Sequence, residues 1–180
     1  MGDNLVMTDQ FPEPTAAGAS RGDVFLTYLD FFRQGLVQKV ESLSDEERRG
    51  SRLPTGWTPL ELLKHLTYVE LRWTEWGFEG VEFDEPWADS KDGRWYVAPD
   101  ETLHDLIAAL QKRATHTRAL VESTDLAQRG KPGPRWDDQP PATLERVLFH
   151  LLQEYARHLG HLDIVVEIAD GPVGEGIPNQ

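Results

Sequence analysis

The sequence predicts an all-α protein, a four-helix bundle with long connections. Three observations carry this. Apolar residues recur at three- and four-residue spacing in four separate stretches, clusters of Pro and Gly divide those stretches, and no stretch shows the alternation of a strand. The 180 residues suffice for one domain with a real core. The expected organisation is a flexible arm over 1–20, rich in Pro, Gly, Ala and polar residues, a bundle over 21–171 and a tail over 172–180.

The first helix is expected from about Asp23 to Ser42. Val24, Phe25, Tyr28, Leu29, Phe32, Leu36, Val37 and Val40 form its apolar face, and Asp23 is a suitable N-cap. The second opens at Thr58-Pro59-Leu60-Glu61. Thr58 can cap, Pro59 suits the first turn, and Glu61 completes a capping box. Leu62, Leu66, Val69, Trp73 and Trp76 continue its face until Gly77 and Gly80.

A long connection runs from about Gly80 to Ala98, and its Trp87, Trp95 and Tyr96 favour a strap held down by aromatics over a pocket or dimer interface. The third helix is expected from near Asp100 to before Asp125, with Leu103, Leu106, Ile107, Leu110, Ala114 and Val121 inward. Six Pro and Gly residues between Gly130 and Pro141 then break the chain. The fourth helix starts at a Thr143 cap, with Leu144, Val147, Leu148, Leu151, Leu162 and Val165 inward and Gly171 expected at its C′ position.

Composition narrows the function. Apolar residues are 39% and charged residues 27%, ordinary for a globular protein. The net charge of -13 argues against nucleic acid and anionic membrane surfaces, both of which call for clustered Lys and Arg. No apolar run is long enough to span a membrane. The N-terminus lacks the basic start and apolar segment of a secretory signal, so a cytoplasmic location is expected. With no cysteine, thiolate ligands and a cysteine nucleophile are excluded, and any thiol must come from outside.

The chemistry concentrates on the last helix. Glu154 and His158 stand four residues apart, one above the other on a single face. At about 100° per residue they fall within the stripe of Val147, Leu151 and Val165. A carboxylate pointing into a core costs several kcal/mol unless something compensates it. A metal ion would do so, as would a second histidine or an arginine such as Arg157 or Arg72. His65 lies on the inner face of the second helix, between Leu62 and Val69. Two histidines and a carboxylate leave open positions on a divalent ion, the ligand set of catalytic zinc sites, and nickel, iron, cobalt or manganese can use it too. A metal-free buried polar cluster is the competing reading. His161 flanks the same face and could be a fourth ligand, a partner to a ligand or a substrate contact. His150 lies further round the helix.

The segment Gly56-Trp-Thr-Pro-Leu-Glu-Leu-Leu-Lys-His-Leu66 and the later Glu154-Tyr-Ala-Arg-His-Leu-Gly-His-Leu-Asp-Ile164 resemble the DinB-like superfamily. That superfamily includes the mycothiol-dependent maleylpyruvate isomerases and the bacillithiol transferases. One bacterial branch of it is similar along most of the chain, from Phe11 to Gly171, including Pro86-Trp-Ala-Asp89. The resemblance implies a four-helix bundle with a metal triad, whose ligands match His65, Glu154 and His158. Many members use two histidines on the last helix, whereas the mycothiol isomerases use Glu and His, as here. It implies a metal-dependent enzyme, a thiol transferase or isomerase acting on a small electrophilic substrate with an external low-molecular-weight thiol. His161 or Tyr155 would position substrate or shuttle a proton, and Arg157 or Arg72 would neutralise an acidic substrate. No residues for a sugar-linked thiol can be mapped, so the metal site carries over better than the reaction. A metal-dependent hydrolase and a non-catalytic metal-binding bundle are the alternatives. Bundles of this kind often pair, which leaves a homodimer open.

Overall fold

A computed structural model describes residues 12–171. The predicted tail over 172–180 and residues 1–11 of the predicted arm lie outside the described residues. Four long helices build the core: α1 (Arg21–Ser42), α3 (Pro59–Leu71), α4 (Leu103–Ser123) and α5 (Leu144–Ile168). A short α2 (Asp45–Arg49) follows α1, and a π-helical segment (Arg72–Phe78) prolongs α3. The sequence reading missed α2, although Ser44 and Glu47 form a reciprocal capping box. Helix α1 packs on α5 and α3 on α4, while α3 also meets α5.

Apolar periodicity explains the core. Leu29, Leu36 and Val40 of α1, Leu62, Leu63 and Leu66 of α3, Leu110 of α4, and Leu144, Leu148, Leu151 and Leu162 of α5 are all buried together. Helix α3 starts as expected, with Thr58 and Glu61 in a capping box and Pro59 in the first turn. Thr143 caps α5.

Other boundaries differ. Ser20, not Asp23, caps α1, and Asp23 instead accepts from Ala19 N–H at 2.8 Å. Helix α4 begins at Leu103, after a Thr102 and Asp105 box that places the acid side chain at N3. At the end of α5 the left-handed residue is Asp170 (φ 56), not Gly171. Asp170 N–H donates to Glu167 O at 3.0 Å and Gly171 N–H to Val166 O at 2.9 Å, a Schellman closure with the glycine one position later than expected.

One polar cluster ties the four helices together. Glu70 is fully buried and accepts from Arg33 Nη2 (2.6 Å), Arg33 Nε (3.2 Å), Thr117 Oγ1 (2.5 Å) and Tyr155 OH (2.8 Å). These partners come from α1, α4 and α5, so the carboxylate fixes how the helices sit around α3. A buried charge is tolerable only when paired and fully hydrogen-bonded, and here it is.

The 80–102 connection is strapped down. A hairpin of β1 (Ser90–Lys91) and β2 (Arg94–Trp95), too short to show as alternation, lies within it. Lys64 Nζ and Ala98 N–H both bind Glu101 Oε2, at 2.7 and 2.6 Å, which anchors the strap to α3. Among the described residues no helix is long and apolar enough to cross a membrane.

Candidate metal centre

Helices α3 and α5 face each other, and they bring His65, Glu154 and His158 together: one ligand atom from each lies within 4.8 Å of the others. The four-residue spacing on α5 stacks Glu154 and His158, with Oε2 3.3 Å from Nε2. Two donors about 2.1 Å from a tetrahedral ion lie roughly 3.4 Å apart, so this separation is that of two ligands on one ion. The triad sits at the rim of the core rather than deep within it. His158 is near the centre of the buried stripe, with 10% of its side chain exposed, whereas Glu154 is at the stripe's border with 22%. His65 is 15% exposed. The site therefore opens on one side.

The surroundings orient His65. Its Nδ1 lies 3.0 Å from Oδ2 of Asp89. Asp89 is buried and is itself gripped by Arg72, Nη1 to Oδ1 at 2.6 Å and Nη2 to Oδ2 at 3.1 Å. Arg72 also donates to Pro86 O at 3.1 Å. An ionised Asp89 can only accept, so the His65 proton sits on Nδ1 and the Nε2 lone pair is free. A metal-binding histidine usually holds its other nitrogen in this way. Trp95 of β2 stacks on His65 at 4.2 Å and meets His158 edge-on at 5.3 Å. The hairpin thus serves as a wall of the site.

The electrostatics disfavour a proton on the carboxylates of Asp89 and Glu154 and a second proton on His65. Desolvation is the main effect lowering the His65 pKa; His158 and Arg72 add to it, against the pull of Asp89. Burial pushes Asp89 up, but hydrogen bonds from His65 and Arg72 together outweigh it and keep the carboxylate ionised. Glu154 is held far below the ordinary carboxylate range by hydrogen bonds from His150 and His158. His158 Nδ1 is buried without a partner among the described residues. An ionised carboxylate, a neutral imidazole with a free lone pair and the Nε2 of a second imidazole 3.3 Å from that carboxylate form a donor set that fits a divalent cation.

A family model described as mycothiol-S-transferase matches residues 24–171. The chain belongs to this family. No curated protein gives a significant match. Among solved structures, the chain is similar to YfiT from Bacillus subtilis, described as a probable metal-dependent hydrolase with an unusual four-helix bundle topology. The identity is 19%, the TM-score 0.60, and the match covers 91% of this chain and 95% of that one. At that identity the likeness shows the fold.

In this member of the mycothiol S-transferase family the other sequence candidates separate. His161 is exposed, its ring 5.6 Å from that of His158, and burial followed by the charges of His158 and Arg157 lowers its pKa. Arg157 is exposed on the same side of α5. Tyr155 is not brought to the triad: it is fully buried with its hydroxyl on Glu70. One residue means about 100° of helix rotation, which turns Tyr155 inward while Glu154 stays at the rim. Arg72 is taken up by Asp89, and Glu154 pairs with His150 (3.2 Å) and His158 rather than with an arginine. Sequence reasoning missed Asp89 as the partner of His65; the Pro86-Trp-Ala-Asp89 stretch was its signal. It also missed the closeness of His150, which touches Glu154 and the ring of Trp73 at 4.3 Å. A groove of about 520 Å³ between α1 and α5 is lined by Tyr28, Phe32, Arg146, Phe149 and His150, the last of which pairs with Glu154.

Proposed function

We propose that the chain is a metal-dependent enzyme, a thiol transferase that joins an external low-molecular-weight thiol to a small electrophilic substrate in the cytoplasm. The observation that carries this reading is the open triad of His65, Glu154 and His158, whose His65 is oriented by a buried carboxylate. The family match supports a thiol as the nucleophile, and the absence of cysteine agrees with a thiol from outside. His65, Glu154 and His158 would hold a divalent ion, zinc in the first instance, which would supply the Lewis acidity that brings the pKa of a thiol or water toward neutrality.

The chain's own residues do the rest. Asp89 and Arg72 fix the ring of His65. Trp95 covers it and excludes water from one side. His161, exposed beside His158, accepts the proton that leaves the thiol. The thiol sulfur then forms a bond to the electrophilic carbon, and the leaving group departs with its electron pair. Arg157, on the same side of the helix, neutralises an acidic substrate.

The test is thiol consumption by the full chain with mycothiol, bacillithiol and glutathione against a panel of electrophiles. Turnover is expected with at least one thiol, lost on chelation and restored by zinc. Metal-dependent hydrolysis without thiol consumption would replace transfer by the hydrolase reading. A protein that binds metal yet turns over nothing would be a non-catalytic bundle.

A further inference from the structure

Arg135 occupies an unusual position that the metal centre does not explain. It lies in the 3-10 turn Pro134–Trp136 between α4 and α5. Trp136 docks this turn on the π-helical segment, its indole N–H donating to Gly77 O at 3.1 Å and to Lys131 O at 3.0 Å. The approach is close: a Cβ on Gly77 would lie 3.4 Å from Arg135 Cγ. Docking lays the guanidinium over the Trp73 ring at 4.0 Å, with the Trp76 ring at 6.0 Å.

No described carboxylate pairs with this arginine, although the chain carries 31 acidic residues. Its Nε is buried and has no partner among the described residues. The charge that acts on it is another cation, Arg72, and desolvation and Arg72 both work against its charged form. Such an arrangement costs stability unless something else satisfies it. Trp73 connects it to the triad, since it touches His150 at 4.3 Å and His150 bonds Glu154 at 3.2 Å.

We propose that Arg135, backed by Trp73 and Trp76, anchors a carboxylate-binding subsite for a small-molecule acid whose far end reaches the triad. The last clause rests on the reading of the triad as the reactive centre; the subsite does not. A guanidinium stacked by one face, with its Nε buried, presents the outer edge of its two terminal nitrogens, and that edge matches a planar carboxylate through two parallel hydrogen bonds. Arg72 is taken up by its ion pair with Asp89, so Arg135 is the cation left to meet a ligand, which suits a monoanion better than a phosphate dianion. The aromatic walls suit a flat, unsaturated body behind the carboxylate.

The metal-free full chain is titrated with benzoate while tryptophan fluorescence is followed, with the neutral isostere benzamide and inorganic phosphate as separate arms. Saturable binding of benzoate, at least tenfold tighter than benzamide or phosphate, is expected. Arg135→Gln weakens benzoate at least tenfold, Arg135→Lys falls between because it keeps charge but not the fork, and Lys112→Gln, exposed on α4, changes nothing. The thermal midpoint of Arg135→Gln stays at or above that of the unmutated chain. Equal benzoate affinity in Arg135→Gln, or equal affinity for benzamide, overturns the subsite. Tighter phosphate overturns the carboxylate assignment. A marked fall in the midpoint of Arg135→Gln, or failure to fold, shows that the arginine is a packing element and also overturns it. The titration needs no metal, so it succeeds or fails independently of the triad.

Discussion

Asp89→Asn isolates the role of the group behind His65. The substitution preserves shape and leaves one oxygen for the His65 N–H, but removes the charge that Arg72 holds with two hydrogen bonds. Loss of such a partner costs about 10–100-fold in metal affinity, equivalent to about 1.4–2.8 kcal/mol. With metal in excess, the stabilisation it confers on the fold shrinks by the same amount. For a chain of this size that corresponds to about 3–11 °C less rise in Tm on adding zinc. Zinc affinity is read by competition with a chromophoric chelator, and the Tm rise by melts with and without metal. The metal-free protein also loses some stability, because Arg72 is left buried with a weaker partner, so the comparison is made on the metal-dependent increment alone. Affinity within twofold of the unmutated chain in a folded variant would refute the idea that Asp89 positions His65.

Two further outcomes follow from the fold. Tyr155→Phe removes one hydrogen bond to the buried Glu70 carboxylate and should cost about 1.5–3 kcal/mol of stability in denaturant melts while leaving metal stoichiometry unchanged; loss of metal with intact stability would place Tyr155 at the site instead. Glu47 and Asp105, the capping-box acids of α2 and α4, are held below their ordinary values of 4.5 and 3.8, chiefly by hydrogen bonds from Ser44 and Thr102. A depressed folded pKa gives stability that is full above the unfolded value and lost as pH falls through the folded one. A Ser44→Ala, Thr102→Ala double variant should therefore lose less Tm between pH 6 and pH 3 than the unmutated chain, and an equal loss would show that the boxes do not carry it.

What the sequence made legible followed helical periodicity. The face of α3 and its Thr58–Glu61 cap follow from spacing; spacing also puts His65, Glu154 and His158 on inner faces, but the family resemblance is what singles them out as one ligand set. Asp89 lies 24 residues from His65, in a connection with no period, so only the fold could join them. Tyr155 read as a site residue because it adjoins Glu154 in sequence, yet a single step along a helix turns a side chain to another face. Helix α4 starts at Leu103, later than the expected Asp100, behind a capping box that carries Asp105 at N3 where the usual signal is Glu or Gln. The π-helical turn over Arg72–Phe78 leaves no simple signature in composition, although it puts Arg72 on Asp89 and Trp73 beside His150.

The central claim is that His65, Glu154 and His158 hold one divalent ion. Elemental analysis of the full chain purified without chelators tests it most directly, alongside His65→Ala, Glu154→Ala and His158→Ala. The prediction is about one equivalent of a single divalent metal per chain, falling to near zero in each variant while the helical content is kept. Absence of metal from the unmutated chain even after zinc is supplied, or unchanged uptake by His65→Ala, would contradict it.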